Sequence, residues 1–205
     1  MAFPDDEARI GLLGQQTFCQ IALETTKKSP IANKRPILPA VYRIAEEEVP
    51  ASDRLNTIKR TASDPTYNCH GLTFSSRRTT IEDASQVSLI LAEEPYQEVL
   101  DLKCVLPGDI VAYYEKGSIT HTGIVVANEP VGETFRRVLI LSKWGGGFEA
   151  IHLVDDCTYS RTSDGRKYFR FEHKEHELWT LGSNTSTIGS LPTTQSSSPG
   201  DWSIL

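Results

Sequence analysis

Between Pro107 and Glu172, five stretches of β-branched and aromatic residues follow one another, and this run most constrains the fold. They are PGDIVAYY (107–114), ITHTGIVVAN (119–128), RRVLILSKW (136–144), FEAIHLV (148–154) and KYFRFE (167–172). Each is bounded by Gly, Asp, Asn or Ser, the residues that end strands and make turns. Strands in succession at this spacing predict a small curved antiparallel sheet of about five strands. The segments before them read as helices, so the class is α+β, with the helices packed on the sheet. Asn68 is a good N-cap for a helix opening at Cys69. A second helix is predicted over about Asp83–Glu94, where Pro95 stops it.

Residues 1–28 carry a helical pattern through Ala8, Leu12, Ile21 and Ala22, which Gly11 and Gly14 weaken. Pro30, Pro36, Pro39, Pro50 and Pro65 punctuate the next segment, which reads as a connecting arm with a short helix around Val41–Glu48. The last 25 residues hold a single charge, Asp201, among Ser, Thr, Gly and Pro. Such a tail buries too little apolar surface to offset its ordering entropy and is expected to be disordered. Its ending, Trp202 to Leu205, is apolar enough to engage a partner through the C-terminal carboxylate. The expected organisation is an N-terminal helical extension and arm (1–66), a core (67–180) and a tail (181–205).

With 21 Lys and Arg against 27 Asp and Glu, the net charge is −6, which argues against nucleic acid as the main partner. No segment approaches the roughly 18 consecutive apolar residues of a membrane span. The N-terminus places acids where a signal peptide needs positive charge. A cytoplasmic protein is expected, or one exported without an N-terminal signal. Cys19, Cys69, Cys104 and Cys157 have no CxxC spacing, so neither a zinc site nor a thioredoxin-type redox site is expected. No metal and no cofactor is expected. His173 and His176 have a helical metal-binding spacing, but within FEHKEHELW a solvated charged face is the plainer reading.

The segment Tyr67–Phe74, YNCHGLTF, places Cys69 at the head of a helix. There, orphan N–H groups favour a thiolate. His70 makes a poor base for it, because successive helical residues point about 100° apart. His121, early in a strand and just before Thr122-Gly123-Ile124-Val125, is the better candidate, and an imidazolium beside the thiol would hold its pKa well below that of a free cysteine. A strand histidine satisfied by backbone hydrogen bonds is the structural alternative.

The order Asn68-Cys69-His70-Gly71, Pro107-Gly108-Asp109, His121-Thr122-Gly123-Ile124-Val125 and Trp144-Gly145 resembles the papain-like thiol hydrolases, most closely their unpermuted NlpC/P60 and CHAP-type members. The resemblance covers roughly residues 67–155. It implies a papain-like fold with Cys69 as nucleophile and His121 as base. Because the Cys precedes the His, it favours a hydrolase over the lecithin–retinol acyltransferase type. Ser142, in Ser142-Lys143-Trp144-Gly145, matches the position of the papain Asn that orients the imidazole. His152, on the next strand, competes for that role, since NlpC/P60 enzymes often use a His. The oxyanion hole would use the Cys69 N–H, with Tyr67 or Asn68 as second donor. Trp144 would form a cleft wall. His70 would face the cleft or the surface, and Cys19, Cys104 and Cys157 are read as packing residues.

The implied activity is cleavage of an amide through an acyl-enzyme, on a peptide, isopeptide or peptidoglycan cross-bridge, in a toxin, an effector or an intracellular peptidase. A protein glutamine deamidase or transglutaminase would use the same machinery. A catalytically inactive papain-like module that binds a partner through the same cleft is the competing class.

Overall fold

The computed structural model describes residues 18–37 and 57–172. The chain divides into Met1–His173 and Lys174–Leu205, and all described residues belong to the first unit. The segments read above as the Val41–Glu48 helix, the His173/His176 pair and the tail lie outside the described residues.

The predicted helices form where their caps place them. In α1 (Cys69–Phe74) the Asn68 side chain accepts the Gly71 N–H, and in α2 (Ala84–Glu93) the Asp83 side chain accepts the Ser85 N–H. A third, short helix, α3 (Thr158–Thr162), was not anticipated. Residues 18–28 are not helical. Phe18–Cys19 (β1) pairs with Arg35–Pro36 (β2), and the intervening chain turns through Lys28, whose φ of 69° no helix accommodates. Ile31, from this segment, sits in the same core as Ile81, Val87 and Ile90.

The main sheet is antiparallel and has seven strands, not about five. Its elements are β3 (Ile58–Lys59), β4 (Tyr96–Glu98), β5 (Ile110–Glu115), β6 (Ser118–Val131), β7 (Phe135–Lys143), β8 (Glu149–Leu153) and β9 (Gly165–Phe171). They lie in the order β3-β8-β7-β6-β5-β9-β4. The five expected strands form the centre. The two extra ones are edge strands of two and three residues, too short to carry a readable alternation. No helix among the described residues is long and apolar enough to cross a membrane.

Turn chemistry fixes the register. Pro107-Gly108 makes a tight turn in which Gly108 takes φ of 96° and the Asp109 N–H donates to the Leu106 carbonyl. The Asp109 carboxylate then accepts the Leu106 N–H and a two-pronged contact from Arg170 on β9, at 2.9 and 2.8 Å. The PGD motif is therefore a latch between the head of β5 and the end of β9. Lys116 and Gly117, both at positive φ, supply the two-residue connection that matches the twist of β5 and β6.

The sheet separates two cores. Val111, Tyr113, Val125, Val138, Ile140, Trp144, Ala150 and Tyr168 point to one side; Ala112 and Ile119 point to the other, against α2. The second side also carries α1. Gly71 permits its close seating, since a Cβ there would stand 1.9 Å from the Thr79 carbonyl oxygen. Replacing Gly71 by Ala should therefore destabilise the protein by about 3 kcal/mol or more, at the upper end of overpacking costs. Urea unfolding measures this; a loss below about 1 kcal/mol would show that the 79 loop yields freely.

Candidate active site

The α1 side of the sheet is built on Thr122. Its Oγ1 lies 3.0 Å from His70 Nδ1 and 3.1 Å from Thr73 Oγ1, and Thr73 Oγ1 also lies 2.9 Å from the Cys69 carbonyl oxygen. A carbonyl only accepts, so the single Thr73 proton goes to Cys69. Thr122 must then donate to Thr73, and His70 must donate to Thr122 through Nδ1–H. The lone pair of His70 is thereby placed on Nε2. Burial pushes the His70 pKa down to about 4, so the ring is neutral. His70 is thus neither surface-exposed nor open to a cleft; it is a buried bridge between α1 and β6.

Cys69 is buried beside it. Desolvation pushes its thiol up to about 11, opposed by the N–H groups of Thr122, His70 and Cys69 itself and by the Lys143 charge. The sequence reading expected the reverse direction. With six residues, α1 offers only a short-ranged field at its end, and complete desolvation outweighs it.

Asn68 is committed to the frame. Its Oδ1 accepts the N–H groups of Gly71 and Ile81, and its Nδ2 donates to the Ile81 carbonyl. Tyr67 donates its hydroxyl to Glu149 Oε1 at 2.6 Å, and Arg77 grips both oxygens of that carboxylate at 2.6 and 3.1 Å. Lys143, fully buried, holds its Nζ 4.6 Å from the centre of the Tyr67 ring and donates to the Gly147 carbonyl. Glu149 lies opposite Lys143 across the β7–β8 pair.

His121 points the other way. Successive strand residues face opposite sides, and Thr122 faces α1. The His121 ring stacks on Tyr159 of α3, centroids 4.0 Å apart and 3° from parallel, with Tyr113 and Trp144 around it. Neither ring nitrogen has a hydrogen-bond partner. Burial, and then the neighbouring His152 and His70, hold its pKa well below the ordinary value. It is a neutral imidazole on the far face of β6 from Cys69.

The two candidates for the orienting residue are on that far side and bond each other. His152 Nδ1 lies 2.8 Å from the Leu153 carbonyl, so it carries the proton, and Nε2 accepts the Ser142 hydroxyl at 2.7 Å. Trp144 lies 5.1 Å from His152 in the same core. The structure therefore groups His121, Ser142, His152 and Trp144 on one face, and Cys69, Tyr67 and Asn68 on the other. Of the cysteines read as packing residues only Cys157 is buried; Cys19, on β1, and Cys104, at the end of a short 3-10 helix (Leu102–Cys104), are exposed.

Sequence reasoning missed Lys143, Glu149, Arg77 and Thr122. One signal was present: Lys143 and Glu149 are charges set inside apolar strand patterns on either side of the Gly145–Gly147 turn. Compared with family models, curated proteins and solved structures, the chain matches none.

The neutral histidines make stability depend on pH. An unfolded chain binds protons below about pH 6.5 that the native His70 refuses until about pH 4, so stability is full above 6.5 and falls with pH through that window. His70 alone accounts for about 2 kcal/mol between pH 6.5 and 5, and His121 acts in the same direction. Urea unfolding at about pH 7 and pH 5 should show this loss. His70→Gln, which retains a donor toward Thr122, should reduce it.

Proposed function

We propose that this chain is a cysteine-nucleophile hydrolase of amide bonds, in which Cys69 attacks the carbonyl carbon and the thioester formed is released by water. The observation that carries the reading is the setting of the sulfur. Desolvation is the larger effect and holds the thiol protonated, but the N–H groups of Thr122, His70 and Cys69 and the charge of Lys143 all favour negative charge there, as an attacking thiolate and a developing oxyanion require. Substrates of this class are peptides, isopeptides or peptidoglycan-type cross-bridges. The same machinery would serve a glutamine deamidase or transglutaminase.

In this reading His121 carries the proton from thiol to leaving amine. That role requires its ring on the α1 side. The register of β6 shifts against β5 next to His121 and against β7 between Val125 and Ala127, so residues 121–125 lie between two irregularities. Moving the extra residue by one place exchanges which side chains face α1. A second reading, an inactive papain-like module that binds a partner, is favoured by the separation of Cys69 from His121 across the sheet.

Exposure to p-nitrophenyl acetate separates the two. An acyl group should appear on Cys69 by peptide mass spectrometry and be absent from Cys69→Ala. His121→Ala should slow its formation by about 100-fold, the low end for general-base catalysis. Acylation that ignores His121 would remove the base and leave the nucleophile. A folded protein that never acylates Cys69 would overturn the hydrolase reading.

A further inference from the structure

The side of the sheet that carries Cys69 contains a buried cation. Lys143 is fully buried, an arrangement that is unfavourable unless the ammonium is held by other groups. The Gly147 carbonyl and the face of Tyr67, two residues before Cys69, both hold Nζ. Tyr67 is itself fixed by its hydrogen bond to Glu149, and Glu149 by Arg77. Lys143 stands directly across the β6–β7 ladder from Thr122, the residue that anchors α1, as the neighbouring Gly123–Ser142 pairing requires. The chain from Arg77 through Glu149 and Tyr67 to Lys143 thus places one ammonium on the face where the thiol lies.

We propose that Lys143 is the counter-cation of the Cys69 thiolate, positioned by Tyr67 and Glu149, so that the thiolate formed in this site is balanced by an ammonium. The inference rests on Cys69 being the nucleophile. In it the thiol proton leaves to solvent or to the base of the reaction, and Lys143 keeps its own. Charges interact more strongly where water is excluded, and the positive charge of Lys143 favours the anion at Cys69.

Charged and titratable groups approach Lys143 and Tyr67 from several segments. From the segment leading into α1 come Asp64 and Tyr67, and from α1 His70, which is neutral. From the following loop comes Arg77 and from β8 Glu149. The carboxylate of Glu149 opposes a thiolate, whereas Lys143 and Arg77 favour one. The two strand residues therefore make opposite predictions. A merely structural role would move both variants alike.

The test is the thiolate absorbance at about 240 nm followed through alkaline pH, with the Cys69→Ser protein subtracted so that only this thiol is read. At about pH 10, Lys143→Met should lower the Cys69 thiolate signal by about threefold or more, and Lys143→Arg should retain it. Glu149→Gln should raise the signal by about threefold at about pH 9, and His121→Ala should leave it unchanged. An unaltered titration in folded Lys143→Met, or a loss on His121→Ala, would overturn the proposal. If Lys143→Met does not fold, the rise in Glu149→Gln and retention in Lys143→Arg decide, and a fall in either refutes it. A titration that follows Lys143 in a protein that never acylates Cys69 would uphold the ion pair while ending the hydrolase reading.

Discussion

The two-residue period of β6 is the constraint from which the rest of the site follows. Thr122 faces α1 and ties it down through His70 and Thr73. His121, one residue earlier, must then enter the opposite core, where Tyr159 covers it. No side-chain rotation moves a strand residue through the sheet; only a change of register does. The same alternation puts Lys143 on the thiol side and Ser142 and Trp144 on the other. Two polar clusters result, separated by the thickness of one sheet.

They differ in kind. The Cys69 side holds formal charges, with Glu149 fixed by Arg77 and Tyr67, and Lys143 nearby. On the other side burial holds His121 neutral among aromatic rings, and Ser142 and His152 hydrogen-bond each other. A buried charge can polarise its surroundings; a buried neutral imidazole with no acceptor cannot. The chemistry open to each face follows from that difference.

Much of the fold could be read from local pattern. Asn68 announced the first helix and Pro95 the end of the second, and the turn residues separated the five central strands at nearly the observed limits. The edge strands β3 and β4 were not legible, because two or three residues acquire strand geometry from the neighbour they pair with. Within the site, the cap role of Asn68 was visible and the facing of His121 was not. Which face of β6 meets α1 is decided by long-range packing, including the approach of Gly71 to Thr79. Ser142 and His152 looked like rivals for one imidazole in the sequence, and space makes them partners. The Tyr67–Glu149 contact joins residues 82 apart, a distance no local pattern spans.

The place of β9 has a consequence for how the chain is made. It lies between β5 and the edge strand β4, although among the described strands it is the last to be synthesised. Until a ribosome has delivered residues 165–171, one side of β5 stays open and β4 has no neighbour to pair with. The nascent chain thus carries most of its sheet with an unpaired inner edge, a template for sticking to other chains. The Asp109–Arg170 contact completes the sheet only when both ends of that long interval are out. Cell-free synthesis of this chain should therefore depend on holdase chaperones more than its modest size implies.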